Sequence, residues 1–338
     1  MRKFILSMAL AIVSVGAYAQ VTPGCNPDQN KPEIGATYTY QVNTNTNGFT
    51  GNGHYLWYVT QNTNLLDENS KIEANNDNFS VENAATNYNK NVTVNSLQIK
   101  WKPDALTSAT PFYLVVKYTE EKNGCPATNI KAMEIKPLNK FTLDITPVSD
   151  NAGTTFNGDP KVCSADITSA TIEGSKVKYI YGQNKLYYKV TMTGFAGEWK
   201  PTITLPELAG KDGVETQAVG RKYVSLKWNG ITANTFEDFG NLTNNGELQT
   251  ITSTNKTNKN EFILEVTIDN GTYEGLTDED VQVATKGNMV LANGDLGKRD
   301  VDNNCNELTD GNNKKASQKI LARPTITPAQ GNFIIQIQ

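Results

Sequence analysis

Four cysteines, one histidine, four tryptophans and one short run of acids are the residues in this chain best suited to chemistry. Cys25, Cys125, Cys163 and Cys305 lie far apart, and no C-x-x-C pair occurs. Zinc sites need tighter spacing, so these cysteines read as disulfide partners if the chain leaves the reducing cytoplasm. Four cysteines allow three pairings. Two stand before a loop-rich break at 147–160 and two after it. That order predicts one bond per domain, Cys25–Cys125 and Cys163–Cys305. His54 stands alone, so a histidine-based triad or a multi-histidine metal centre is not on offer.

Oxygen ligands are densest at Asp295, Asp300, Asp302, Asn304, Glu307 and Asp310. Asp300, Asp302 and Asn304 match positions 1, 3 and 5 of an EF-hand loop. Position 6 is Cys305 instead of glycine, and position 12 is Gly311 instead of glutamate, so this is not an EF-hand. Two readings stay open: an irregular calcium loop using Asp295, Asp300, Asp302 and Asn304, or a hydrated loop beside a disulfide. Carboxylate pairs for glycoside hydrolysis would have to come from Glu237-Asp238 or Asp278-Glu279-Asp280. Adjacent acids in a strand or turn point apart, whereas that chemistry needs two acids facing one bond. Trp57 and Trp101 sit in strong strand patterns and read as core. Trp199, in a turn-like segment, is the candidate for stacking on a sugar.

The leader decides the compartment. Arg2 and Lys3 precede an apolar run from Phe4 to Val15, and Ala17-Tyr18-Ala19 is a small-x-small cleavage site. This is the pattern of a secretory signal peptide, and the run is too short for a membrane span of about 20 residues. The residues before Cys25 fit a lipid-anchor motif poorly. The formal charge is −4, and two of the positive charges belong to the leader. An acidic remainder repels nucleic acid. No cofactor motif occurs.

The elements that must position these residues are strands. Thr37–Val42 alternates with period two, and 55–60, 96–101, 112–119, 130–135 and 141–145 are β-rich. Asn- and Gly-rich turns separate them. After the break, 178–181 and 185–193 read as a hairpin turning at Gly182-Gln183-Asn184. Further strands are expected at 200–205, 222–228, 247–253, 261–268, 280–284, 288–291, 316–321 and 332–337. Many short strands without helical periodicity predict an all-β fold. The division is a leader at 1–19, a β-sandwich at 20–146, a linker at 147–160 and a larger β-sandwich at 161–338.

Leu97-Gln98-Ile99-Lys100-Trp101, Tyr113-Leu114-Val115-Val116-Lys117-Tyr118, Asn123-Gly124-Cys125-Pro126 and the strand at 130–135 form one recognisable string. With the aromatic strand His54–Val59, it resembles the PKD-type and immunoglobulin-like repeats of secreted Bacteroidetes surface proteins, many of which accompany type IX secretion or gliding machinery. The resemblance covers about 25–145 and is looser beyond Val162-Cys163. It implies two tandem PKD/Ig-like sandwiches, a secreted or cell-surface location and no catalytic residues. The segment 331–338 is too short for the usual sorting signal of that family.

The expectation is a secreted, non-enzymatic structural or adhesive protein with protein partners at the cell surface, able to build a filament or other assembly. The other reading is a carbohydrate-binding accessory protein of a surface glycan system. For self-assembly the candidate segment is Asn332–Gln338. Phe333, Ile335 and Ile337 would share one side and Ile334 the other, ready to add to the sheet edge of a neighbouring copy.

Overall fold

The computed structural model describes residues 25–44, 49–174, 176–211 and 220–326. The leader and the segment Asn332–Gln338 lie outside these residues.

The first sandwich is built from β1 (Thr37–Gln41), β2 (His54–Thr60), β3 (Lys71–Ile72), β4 (Phe79–Val81), β5 (Asn91–Val92), β6 (Ser96–Trp101), β7 (Phe112–Lys122) and β8 (Cys125–Ile135). One sheet has the order β1-β6-β4; the other runs β3-β2-β7-β8, with β5 also on β2, and every pairing is antiparallel. Alternation sets the core: Leu97, Ile99 and Trp101 of β6 are buried while the residues between them are not. Trp101 lies against Phe79 and Phe112, with ring centroids 5.3 and 5.2 Å away.

The second sandwich contains β9 (Thr142–Val148), β10 (Lys161–Val162), β11 (Ile167–Glu173), β12 (Lys176–Thr193), β13 (Trp199–Leu205), β14 (Lys222–Trp228), β15 (Glu237–Asp238), β16 (Gln249–Thr252), β17 (Glu261–Gly271), β18 (Glu279–Val290), β19 (Leu296–Arg299) and β20 (Lys314–Ile320). One sheet is β10-β20-β18-β13-β16 with β19 on β18; its partner is β11-β12-β17-β14-β15 with β9 on β12. Leu186, Tyr188, Val190 and Met192 of β12 and Phe262, Leu264, Val266 and Ile268 of β17 fill the interior.

The all-β, two-sandwich expectation holds, and three finer expectations are corrected. First, β9 pairs with β12 over Thr142–Thr193 to Val148–Tyr187. It therefore belongs to the second sandwich, and the boundary falls near residue 138 instead of 146. Residues 149–160 are not a linker between domains but a loop inside the second sandwich. The Asp150 carboxylate closes it by accepting from the Ala152 and Thr154 amides, both at 3.0 Å. Second, β12 is one strand of 18 residues, with no turn at 182–184. The Gly182 amide donates to Asp166 O at 2.9 Å, and Asn184 Nδ2 donates to Cys163 O at 2.8 Å. The strand changes partners there without reversing. Third, Cys25 bonds Cys305, with Cα atoms 5.6 Å apart, while Cys125 and Cys163 are free and exposed. The bond spans the two sandwiches instead of closing each.

The sandwiches are joined closely. The Ala292 amide of the second sandwich donates to Asp104 Oδ2 of the first at 3.1 Å. Gly35, at φ +83°, faces Ala196 so closely that a Cβ would lie 2.7 Å from its carbonyl oxygen. Only glycine combines that backbone angle with that approach.

Candidate interaction surface

The sequence-derived candidates do not converge. Asp295 caps its own hairpin loop, its amide donating to Asn293 Oδ1 at 2.9 Å. Asp302 Oδ1 accepts from the Asn304 and Asn306 amides at 2.8 and 2.9 Å, so it closes the loop that carries Cys305. Asp300 points inward: it is buried, accepts from the Gly287 amide at 3.0 Å and leaves Oδ2 without a partner. Burial pushes its carboxyl above the usual carboxylate range. No group of three or more metal-ligating side chains forms among the described residues. Trp199 is not a sugar platform. It is fully buried, its indole N–H donates to Lys259 O at 3.0 Å, and its ring packs 5.6 Å from Phe141 and 5.9 Å from Phe262. Trp57, Trp101 and Trp228 are buried too.

Two concavities stand out among the described residues. At the far end of the second sandwich Arg221 is buried, donating through Nε to Asn270 Oδ1 at 2.8 Å and pairing with Glu279. Asn270 passes the network on to Asn184 at 2.9 Å and Gly182 O at 2.7 Å. Arg221, Asn270, Asn184 and Glu279 are engaged with one another, and the space left is about 20 Å³, room for one water. The second is a groove of about 360 Å³ between the sandwiches, bordered by Lys100, Lys102, Glu198, Lys256 and Leu291, with no aromatic ring in its lining. Its charges are largely engaged: Lys256 pairs with Glu198 at 2.5 Å, and Lys102 Nζ donates to Asn76 O at 2.6 Å.

The surface that stands out is a β-ribbon. β12 pairs with β17 only from Tyr181 onward. Its first residues pair with β11 alone, in the register Ile172–Val177, Ala170–Tyr179 and Ile167–Tyr181. The ribbon thus extends beyond the sandwich. Cross-strand partners and every second residue share a face. Ile167, Ile172, Val177 and Tyr179, which are 53, 68, 41 and 42 % exposed, therefore lie on one side. Glu173 and Lys178, which form an ion pair at 3.2 Å, lie on the other. Tyr181 stacks with Tyr179 at 6.4 Å, and the Arg323 guanidinium covers Tyr181 at 4.1 Å. The outer edge of β11 has no partner strand among the described residues.

The other long edge is different. β8 is almost wholly exposed, but it carries Pro126, and the Ile130 amide is taken by Asn129 Oδ1 at 2.8 Å. Proline, charge and capped amides blunt an edge against pairing. β11 has neither proline nor a charged side chain along 167–172, and its register with β12 shifts once, between Ile167 and Ser169. The sequence reading placed a strand at 178–181 but none over β11, and only the pairing shows that Ile172, Val177 and Tyr179 share an exposed face.

No protein-family model matches this sequence. No curated protein matches it either. Among solved structures, similarity is found to the C-terminal domain of the Streptococcus agalactiae AgI/II polypeptide BspA, at 12 % identity and TM-score 0.21 over 67 % of this chain and 63 % of that one. The C-terminal domain of the Streptococcus pyogenes antigen I/II-family protein AspA gives 12 % identity and TM-score 0.24 over 67 % and 59 %. The chain thus matches less than two thirds of the length of these two. The collagen-binding domain of the Erysipelothrix rhusiopathiae surface protein RspB gives 8 % identity and TM-score 0.22 over 86 % and 90 %.

Proposed function

We propose that this is a secreted, non-enzymatic, structural or adhesive protein of the cell surface whose partners are proteins. Its specific form is self-assembly: the segment 332–338 of one copy adds as a strand to the open β11 edge of the next. The observation that carries this reading is the β11–β12 ribbon, an apolar face beside a sheet edge that has no partner strand among the described residues. Strand addition supplies backbone hydrogen bonds, and alternate side chains supply specificity. Phe333, Ile335 and Ile337 would meet the apolar face of the ribbon. The location rests on the leader at 1–19, which lies outside the described residues. A carbohydrate-binding accessory role ranks second, since the buried tryptophans and the groove without aromatic rings give a sugar little to stack on.

Deleting residues 329–338 tests the assembly. The reading expects a folded monomer with an unchanged melting temperature and no higher oligomers. A truncated protein that melts far below the full chain, while both stay monomeric, would remove it.

A further inference from the structure

The cavity beside Arg221 is lined by a second guanidinium, that of Arg323. Most polar groups around it are spent. Asn270 donates to Gly182 O and to Asn184 Oδ1, and Asn184 Nδ2 donates to Cys163 O. Glu279 accepts from the Ala209 amide at 3.1 Å on one oxygen and from Arg221 Nη1 on the other. What remain are nitrogen donors. The Arg221 side chain is 1 % exposed. Its plane is fixed, Nε by Asn270 Oδ1 and one face by the Tyr273 ring at 4.9 Å. Among the described residues its hydrogen bonds run from Nε and Nη1, and none runs from Nη2. Arg323 donates through Nη2 to Ala165 O and lies over Tyr181 at 4.1 Å, while its Nε is buried without a partner. Glu279 meets the charge of Arg221; no carboxylate is paired with Arg323 among the described residues.

We infer that this cavity binds one small monatomic anion of the chloride class, held between Arg221 Nη2 and the Arg323 guanidinium. Buried donors are rarely left without an acceptor, and an acceptor that carries negative charge makes the stronger bond to a guanidinium. A water would bring two more hydrogens to a place whose unspent nitrogens already donate. The space of about 20 Å³ takes one such ion; sulfate and phosphate, with four oxygens about one centre, are too large for it. The ion would join the entry to β14 at Arg221, the segment 163–165 that leads into β11 and the chain that leaves β20, and so brace the base of the ribbon. Glu274, the other acid in the lining, is exposed and is the ion's competitor for Arg323. The inference stands on this cavity and is independent of the assembly proposed above.

Melting of the full chain tests it, with chloride or bromide replacing gluconate over a hundredfold range at constant ionic strength. Gluconate is too bulky to enter. Mass action on the folded state gives an expected rise of roughly 3–6 °C with either halide. The rise should vanish in Arg323→Gln, return in part in Arg323→Lys and steepen in Glu274→Gln. In crystals of the native chain soaked in bromide, anomalous density should lie within hydrogen-bond reach of both Arg221 Nη2 and Arg323. Equal halide responses in the native chain and Arg323→Gln would overturn the inference. So would a Glu274→Gln variant that melts lower at every halide concentration without responding to it, because Glu274 would then supply the counter-charge. Absence of bromide density from the cavity would overturn it as well, and that readout needs no variant to fold.

Discussion

Removing the bond between Cys25 and Cys305 should be the most costly change outside the core, and the size of the effect follows from the distance it spans. The two residues are 280 apart in sequence. In the chain-entropy treatment, closing a loop of that length removes roughly 5–6 kcal/mol of freedom from the unfolded chain. Measured losses for native disulfides run at about 2–5 kcal/mol, so a loss of about 3–5 kcal/mol is expected for Cys25→Ser. The cost should fall on the whole molecule, because the buried apolar residues of both sandwiches form one connected cluster. Cys305 holds φ at +60° in a loop closed by Asp302, and serine there bears the same backbone cost, so Cys305→Ser reports the bond itself. Guanidinium denaturation is the assay. With a slope of about 5 kcal/mol per M for a chain of this size, the midpoint should fall by about 0.6–1 M. Cys25→Ser, Cys305→Ser and the double variant should agree, since each removes the same bond. Cys125→Ser and Cys163→Ser should stay within about 0.5 kcal/mol of the native chain, as exposed positions do. Comparable losses at Cys125 and Cys163, or a peptide map joining Cys25 to Cys125, would refute the pairing.

Arg221→Met should cost about 3–5 kcal/mol, because it strands Glu279 and Asn270 inside the protein; the melting temperature should drop by roughly 6–20 °C, and adding Glu279→Gln should recover part of it. Glu120 caps the loop at Thr50-Gly51. Its carboxylate accepts from the Tyr118 hydroxyl, from the Thr50 hydroxyl at 2.7 Å and from the Thr50 amide at 2.9 Å. These bonds, led by that from Tyr118, hold its pKa down to about 2. A depressed carboxyl stabilises the fold above its unfolded value near 4.5 and loses that contribution as pH falls toward 2, so Glu120→Gln should flatten the acid limb of a pH–melting curve between those values. An unchanged limb would count against the cap. Asp300 has the opposite sign: burial raises it, so its ionised form opposes folding as pH rises through that value. Asp300→Asn keeps an acceptor for the Gly287 amide and should melt at least as high as the native chain at pH 7, whereas a clear loss would mean the charge is needed.

Individual strands were legible because alternation is a local signal. Thr37–Gln41, Ser96–Trp101 and Lys222–Trp228 lie where period-two patterning put them. What joins them was not legible. Phe141–Ile145 reads identically whether it closes the first sandwich or opens on the second, and only its register with β12 decides. Gly182-Gln183-Asn184 has turn composition, yet the Asn184 side chain is spent on interior partners, donating to Cys163 O and accepting from Asn270, and the strand runs on. Disulfide pairing depends on which loops meet, and spacing carries no record of that. The ribbon was hidden for a similar reason: an exposed apolar face and a buried one have the same sequence until the neighbours are known.

The most direct test of the assembly is sedimentation of the full chain beside Ile172→Lys/Val177→Lys, which sets two charges on the apolar face of the ribbon and touches nothing in the core. Charged side chains on a strand's exposed face oppose docking while leaving the sandwich intact. The account predicts oligomers that grow with concentration for the native chain, a monomer at every concentration for the variant, and equal melting temperatures once both are monomeric. Identical sedimentation of the two, with oligomers present in both, would contradict it.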